Sequence, residues 1–211
     1  MILATEREIS STLLEQSRHS EKVYCLDQHI YCIVSGMTAD ANYLIEYARR
    51  FAQDHRYTFN APMPVDQVVQ RLCDLKQSYT QYGGMRPFGT SFIFAGWDEV
   101  NGCQIYTSDP SGIFSGWKAI AQGLNNQMTN NFLKQEYKEN LTEKEGCDLA
   151  VATICKTLDT ANPAPDRLEI ILMKKAEDGD YLTVKKLSLE ELKVILDAKK
   201  KKDDDEAAKK K

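Results

Sequence analysis

The side chains able to do chemistry are few and scattered. His19, His29 and His55 stand without Cys or carboxylate partners at ligand spacing, so they read as surface or hydrogen-bonded histidines, and no metal is expected. Six cysteines (Cys25, Cys32, Cys73, Cys103, Cys147 and Cys155) contain no Cys-x-x-Cys and read as buried thiols of a reducing compartment. Asp109 and Ser111 have the types of a nucleophile pair, but no His lies near them in sequence and a tight turn accounts for both. Gly83, Gly84 and Gly89 lack the strand-to-helix setting of a phosphate loop. Trp97, Tyr106 and Trp117 fall on neighbouring strands and read as core or interface aromatics rather than a base-stacking platform. No cofactor is expected.

The whole chain must therefore be read for what it positions. At 211 residues and 42% hydrophobic content it can bury a sizeable core, and one domain over residues 1–198 is expected, followed by a charged helix end at 199–211. A net charge of −4 argues against a general nucleic-acid binder, which needs a basic surface to neutralise phosphates. No apolar run approaches the length of a membrane span, and Met1 is not followed by a secretory leader. The expectation is a soluble intracellular protein with neither nucleic acid nor membrane as partner. The blocks Lys199 to Lys202, Asp203 to Glu206 and Lys209 to Lys211 interleave opposite charges and read as a solvated helix end rather than a nuclear signal.

Tyr82 to Gly123 holds the densest punctuation. Gly83 and Gly84 are read as ending a helix by entering the left-handed conformation. Pro87 forbids helix, and Thr90 to Trp97 is rich in the β-branched and aromatic residues of a strand. Asn101-Gly102 suits a hairpin turn, Gln104 to Ser108 returns, and Asp109-Pro110-Ser111-Gly112 has the residue order of a tight turn. Ile113 to Gln122 is predicted as a third strand.

Upstream, Val23 to Asp27 and Ile30 to Ser35 are predicted strands, and Thr38 is predicted to N-cap a helix. Leu44, Ile45, Ala48, Phe51 and Ala52 recur at the spacing of one buried helix face. Val65, Val68, Val69, Leu72, Leu75 and Tyr79 mark a second such face after Pro64. Downstream, a helix from Asn125 or Asn126 carries Met128, Phe132 and Leu133. Thr142 with Glu145, and Ser188 with Glu191, have capping-box spacing. Leu168 to Lys174 and Tyr181 to Lys186 flank Asp178-Gly179 as a hairpin. Helices and antiparallel strands alternate in blocks, which predicts an α+β fold.

Arg86-Pro87-Phe88-Gly89, then Asp109-Pro110-Ser111-Gly112, then Trp117-Lys118-Ala119, resemble the α-type subunits of the 20S proteasome. Lys76 to Gly84 looks like the segment leading into that run, and Gly36-Met37-Thr38-Ala39-Asp40-Ala41 looks like the start of the family's first long helix. The Gly-Trp-Asp and Gly-Trp-Lys-Ala pairs are most similar to one paralogue among these subunits. The resemblance implies the four-layer α-β-β-α sandwich of the N-terminal-nucleophile hydrolases. It also implies that several dozen residues precede Met1 in relatives, so the chain is expected to be N-terminally truncated, with its first apolar strand left as a sheet edge.

A hydrolase of that fold uses a terminal Thr, Ser or Cys whose own amine serves as base. This chain starts Met1-Ile2, and Thr5 belongs to a strand. By position Glu6 and Lys22 resemble the acid and lysine that support the nucleophile in catalytic relatives, and without a nucleophile Glu6 reads as a sheet-end charge. The resemblance thus implies no catalytic residue and a structural subunit of the α ring, in the cytoplasm and nucleus, serving ubiquitin-dependent protein degradation. Its expected partners are neighbouring α subunits, β-ring subunits and the C-terminal tails of regulatory particles or activators. In α-type relatives the lysine matching Lys22 meets the carboxylate of an activator tail, and Gly36 matches a small residue on the same pocket wall. The alternative is a free-standing N-terminal-nucleophile hydrolase or β-type threonine protease.

Overall fold

The computed structural model describes residues 1–7, 13, 22–82, 84–158, 163–177, 179 and 181–209, with 202–209 as backbone only. The polar stretch from Ser10 to Ser20, apart from Leu13, lies outside them, as do Gly83, Asp178, Asn162 and His19. The chain forms two compact units.

The first unit holds a five-stranded antiparallel sheet. Its strands are β2 (Val23–Asp27), β3 (Ile30–Gly36), β4 (Thr90–Asp98), β5 (Gly102–Ser108) and β6 (Phe114–Trp117), in spatial order β2-β3-β4-β5-β6. The β3–β4 register sets Cys32 opposite Phe94 and Val34 opposite Phe92. Alternate residues share a sheet face, so Ile30, Cys32 and Val34 of β3 join Phe92 and Phe94 of β4 in one apolar layer. Two helices, α1 (Thr38–Phe59) and α2 (Val65–Gln81), cover it with Leu44, Ile45, Ala48 and Phe51 and with Val65, Val68, Val69 and Leu72. Each such Val, Leu, Ile or Phe side chain, fully buried, contributes about 1.5–3 kcal/mol. Both predicted helix faces are therefore the faces that pack, with Leu75 and Tyr79 half-buried at the margin. The helix α1 ends where Asn60 turns left-handed (φ 52°) and its N–H reaches the Arg56 carbonyl.

Three details depart from the predictions. Met37, not Thr38, is the N-cap of α1, and no side chain caps it. Asp40, in the first turn, instead takes the Gly89 amide, as described below. The helix α2 stops at Gln81, and Gly84 has no positive φ; a Cβ there would lie 2.7 Å from Tyr79 Cδ1, so close approach is its constraint. Strand β6 ends at Trp117 rather than Gln122. It pairs with β5 on one side, and all its residues are exposed, so no buried face extends it. The Asn101-Gly102 turn behaves as predicted, with Gly102 at φ 68°.

The second unit holds most of a three-stranded sheet of order β1-β7-β8, made of β1 (Ile2–Glu6), β7 (Leu168–Lys175) and β8 (Leu182–Lys186). Strand β1 is its edge, paired antiparallel to β7 from Ile2↔Leu172 to Glu6↔Leu168. Three helices, α3 (Asn126–Glu136), α4 (Glu143–Thr157) and α5 (Leu189–Lys209), belong to the same unit. Cys147, Val151 and Cys155 of α4 and Leu192 and Leu196 of α5 pack with Leu168, Ile170 and Leu172 of β7. In α3 the buried residues are Thr129 and Leu133, whereas Met128 is exposed. Of the cysteines, Cys25 and Cys103 are exposed and the other four buried, all as free thiols; the expectation of six buried thiols is corrected to that extent.

Both capping boxes form. Thr142 N–H donates to Glu145 Oε2 at 2.8 Å while Glu145 N–H donates back to Thr142 Oγ1 at 3.4 Å. Ser188 and Glu191 repeat this at 2.8 Å and 3.3 Å. Thr142→Ala should cost about 1 kcal/mol of stability, read by urea unfolding, because it leaves an orphan helix donor.

Candidate functional site

The motifs singled out in the sequence converge on one end of the five-stranded sheet. There β3 ends at Gly36, β4 begins at Thr90, β5 ends at Ser108 and β6 begins at Phe114. Lys22 joins them because its carbonyl accepts the Val34 amide at 3.0 Å, one step beyond the Val23↔Ile33 pair. Lys22 is half-buried and Gly36 is exposed.

Asp40, in the first turn of α1, ties down the Arg86-Pro87-Phe88-Gly89 segment. Arg86 Nη1 donates to Asp40 Oδ2 and Arg86 Nη2 to Asp40 Oδ1, each at 2.7 Å, and Gly89 N–H donates to Oδ2 at 2.9 Å. The hydrogen bonds from the Arg86 guanidinium hold the Asp40 carboxyl down at about 2. The fork geometry matches guanidinium to carboxylate on both oxygens. Arg86 is half exposed, so the clasp fixes orientation more than it adds stability.

Between these polar ends Phe88 points inward. Its ring lies 4.4 Å from Tyr79 on α2 and 5.8 Å from Tyr43 on α1. The neighbouring Tyr79 hydroxyl raises the Tyr43 phenol pKa. One aromatic side chain thus staples both helices to the strand entry.

Gly36 and Gly89 touch backbone to backbone. The Gly89 carbonyl accepts the Met37 amide at 2.9 Å, and a Cβ on Gly36 would fall 2.3 Å from that same oxygen. Gly36 also has φ +111°, a conformation L side chains rarely adopt. The Asp109-Pro110-Ser111-Gly112 turn closes with Gly112 N–H donating to Asp109 O at 3.0 Å. Gly112 lies against α2, where a Cβ would come within 2.6 Å of the Cys73 carbonyl.

Sequence reasoning missed the most unusual residue of this region. Lys76 on α2 is fully buried. Its ammonium donates to Thr90 O at 3.1 Å, Ser108 Oγ at 2.9 Å and Asp109 O at 3.3 Å, over the face of Phe92 at 4.7 Å. Burial pushes its pKa down to about 8. Lys76 sits three residues before Tyr79 and four after Leu72 on the apolar face, which was its only sequence signal.

The remaining candidates lie elsewhere. Thr5 is buried in β1, opposite Glu169, and donates to the Glu6 carbonyl at 3.4 Å. Glu6 pairs with Arg167 at the end of the three-stranded sheet, a sheet-end charge. His29 does not stand alone as predicted: its Nδ1 lies 3.6 Å from Asp27 Oδ2, and its Nε2 donates to Met63 O at 2.8 Å. Asp27 is shared with Arg56 at 3.1 Å, at the opposite end of the sheet. His55 bonds the Ala61 carbonyl at 3.2 Å. Trp97 is buried, whereas Trp117 is exposed and donates to Thr107 Oγ1 at 2.9 Å.

Comparison with known proteins agrees with these motifs. Proteasome subunit is the family that matches, over residues 1–173. The chain is 48% identical over 170 residues to proteasome subunit alpha type-4-A of Arabidopsis thaliana, covering 81% of this chain and 68% of that protein. The same identity and coverage hold for proteasome subunit alpha type-4 of Petunia hybrida and of Spinacia oleracea. These type-4 names agree with the paralogue to which the Gly-Trp-Asp and Gly-Trp-Lys-Ala pairs point. Among the described residues, five α-helices and two sheets are consistent with the α+β, N-terminal-nucleophile type of fold that the resemblance implied. On the family match and on relatives of this identity, the chain belongs to the proteasome subunit family.

Proposed function

We propose that the chain is an α-type, non-catalytic subunit of the 20S proteasome core, assembling with neighbouring α subunits and with the β ring. The observation that carries this reading is the convergence of Lys22, Gly36 and the Arg86–Gly89 and Asp109–Gly112 motifs on one sheet end. The names of the relatives, all α-type, favour it over a free-standing hydrolase or β-type protease. The non-catalytic reading is supported by the α-type names of the relatives and by Thr5, whose buried hydroxyl donates to the Glu6 carbonyl. The chain's place of action is the cytoplasm and nucleus, in ubiquitin-dependent protein degradation.

At the sheet end Lys22 supplies an ammonium and Gly36 a wall without a side chain. Together they suit the terminal carboxylate of an activator tail, through a charge-assisted hydrogen bond. Lys22→Ala in an assembled ring should weaken binding of such a tail by about 1.5–3 kcal/mol without changing the melting temperature. Titrating activator into rings with and without the substitution checks this. Equal affinities, at a pocket to which this subunit contributes, would remove Lys22 from the site. Hydrolysis of fluorogenic peptides by the purified chain, lost on Thr5→Ala, would overturn the non-catalytic reading.

A further inference from the structure

We propose that Lys76 is a positioning residue for the sheet-end site, its buried ammonium fixing the strand ends against which Gly36 and Gly89 are set. The proposal rests on the reading of that end as the place where a tail carboxylate docks.

Three oxygens from two stretches of chain meet at one nitrogen. Thr90 O belongs to the first residue of β4, Ser108 Oγ to the last of β5, and Asp109 O to the turn that follows. Thr90 is the register partner of Gly36 and the chain neighbour of Gly89. The Gly89 carbonyl in turn holds the Met37 amide at 2.9 Å. A single link therefore joins the Lys76 ammonium to the backbone on which Gly36 rests.

An apolar side chain of similar length would fill the same space at less cost, because a buried ammonium must be desolvated. The depressed pKa, about 8, reflects that cost. Its return is direction. An ammonium has three donors, and here each finds a different oxygen, whereas dispersion contacts would leave the two strand ends free to slide. The neighbouring ionisable groups are the Asp109 carboxylate, which acts on Lys76 by charge, and the Cys73 and Cys32 thiols, whose pKa values burial raises; none replaces these bonds. Lys76 touches no docking partner; it acts through Thr90 and the Asp109 turn.

The test uses the full chain in assembled rings, with two readouts. The first is hydrogen exchange at the Met37 and Gly89 amides, near Lys76, against the Trp97 amide, which bonds His29 O at the other end of the sheet. The second is the affinity of a short synthetic peptide ending in a free carboxylate, with its amide as control. Lys76→Met should speed exchange at Met37 and Gly89 by about tenfold, leave Trp97 unchanged, and weaken the carboxylate peptide by about tenfold, the worth of one directed hydrogen bond. Equal acceleration at both ends, or none at either, would mean a role in general stability and would overturn the proposal. So would local loosening with unchanged peptide affinity in rings where Lys22→Ala does weaken binding. Should Lys76→Met fail to assemble, Ser108→Ala removes one of the three acceptors and must give the same local pattern at smaller size, or the proposal falls. Exchange is measured without any ligand, so insensitivity of the peptide to Lys22→Ala would overturn the docking reading and leave the positioning result to stand or fall by itself.

Discussion

Gly36→Ala is expected to destabilise the chain by about 3–5 kcal/mol, the sum of two independent penalties. The first is conformational: an L residue at φ +111° lies outside even the left-handed well and costs roughly 1–3 kcal/mol. The second is steric. The new methyl would sit 2.3 Å from the Gly89 carbonyl oxygen, a backbone atom that cannot rotate aside. Relief requires β3 and β4 to part at their last pair, Gly36↔Thr90, which also breaks the Met37-to-Gly89 hydrogen bond. A loss of this size is a large part of the roughly 5–15 kcal/mol that holds a typical domain folded. Urea unfolding of the wild-type and substituted chains, under identical assembly conditions, measures it. A loss below about 1 kcal/mol would show that the sheet end yields readily, against the rigid backbone contact described above.

Phe88→Ala is expected to cost about 3–5 kcal/mol, the usual range for deleting a buried aromatic side chain. Phe88 is 7% exposed and contacts Tyr43 and Tyr79 on separate helices, so its removal leaves a cavity that neither helix alone can close. Phe88→Leu, which retains most of the volume, should cost less than half as much. The comparison separates volume from aromatic geometry: offset and tilted ring pairs add about 0.5–1.5 kcal/mol beyond burial. Thermal melting of both variants gives the order. Equal losses for Ala and Leu would assign the effect to ring geometry rather than to the cavity. Neither substitution removes the Arg86–Asp40 clasp, so loss of that exposed pair cannot account for the difference.

Much of this molecule was readable without coordinates. The apolar faces of α1 and α2 follow from three-and-four spacing, since every residue on one side of a helix meets the same environment. The two capping boxes and the Asn101-Gly102 turn are local chemistry, fixed by residues at most three apart. The order of the Arg-Pro-Phe-Gly and Asp-Pro-Ser-Gly motifs carried the family. The predicted third strand ran on to Gln122, while the length of β6 is set by its pairing with β5.

What the sequence by itself determined, then, is which elements form, which faces they bury and which family they belong to. Tertiary structure alone decided why the motif residues are what they are. The three acceptors of Lys76 lie 14, 32 and 33 residues away, and Asp40 lies 46 residues from Arg86. Gly36 needs to be glycine because of Gly89, a neighbour only across the sheet. A lysine on an apolar helix face looks like a solvated residue to any local pattern, because local patterns sum hydropathy and cannot see a hydrogen-bond acceptor from another strand. Burial of a charge is tolerated only where such acceptors converge, and convergence is a property of the folded chain.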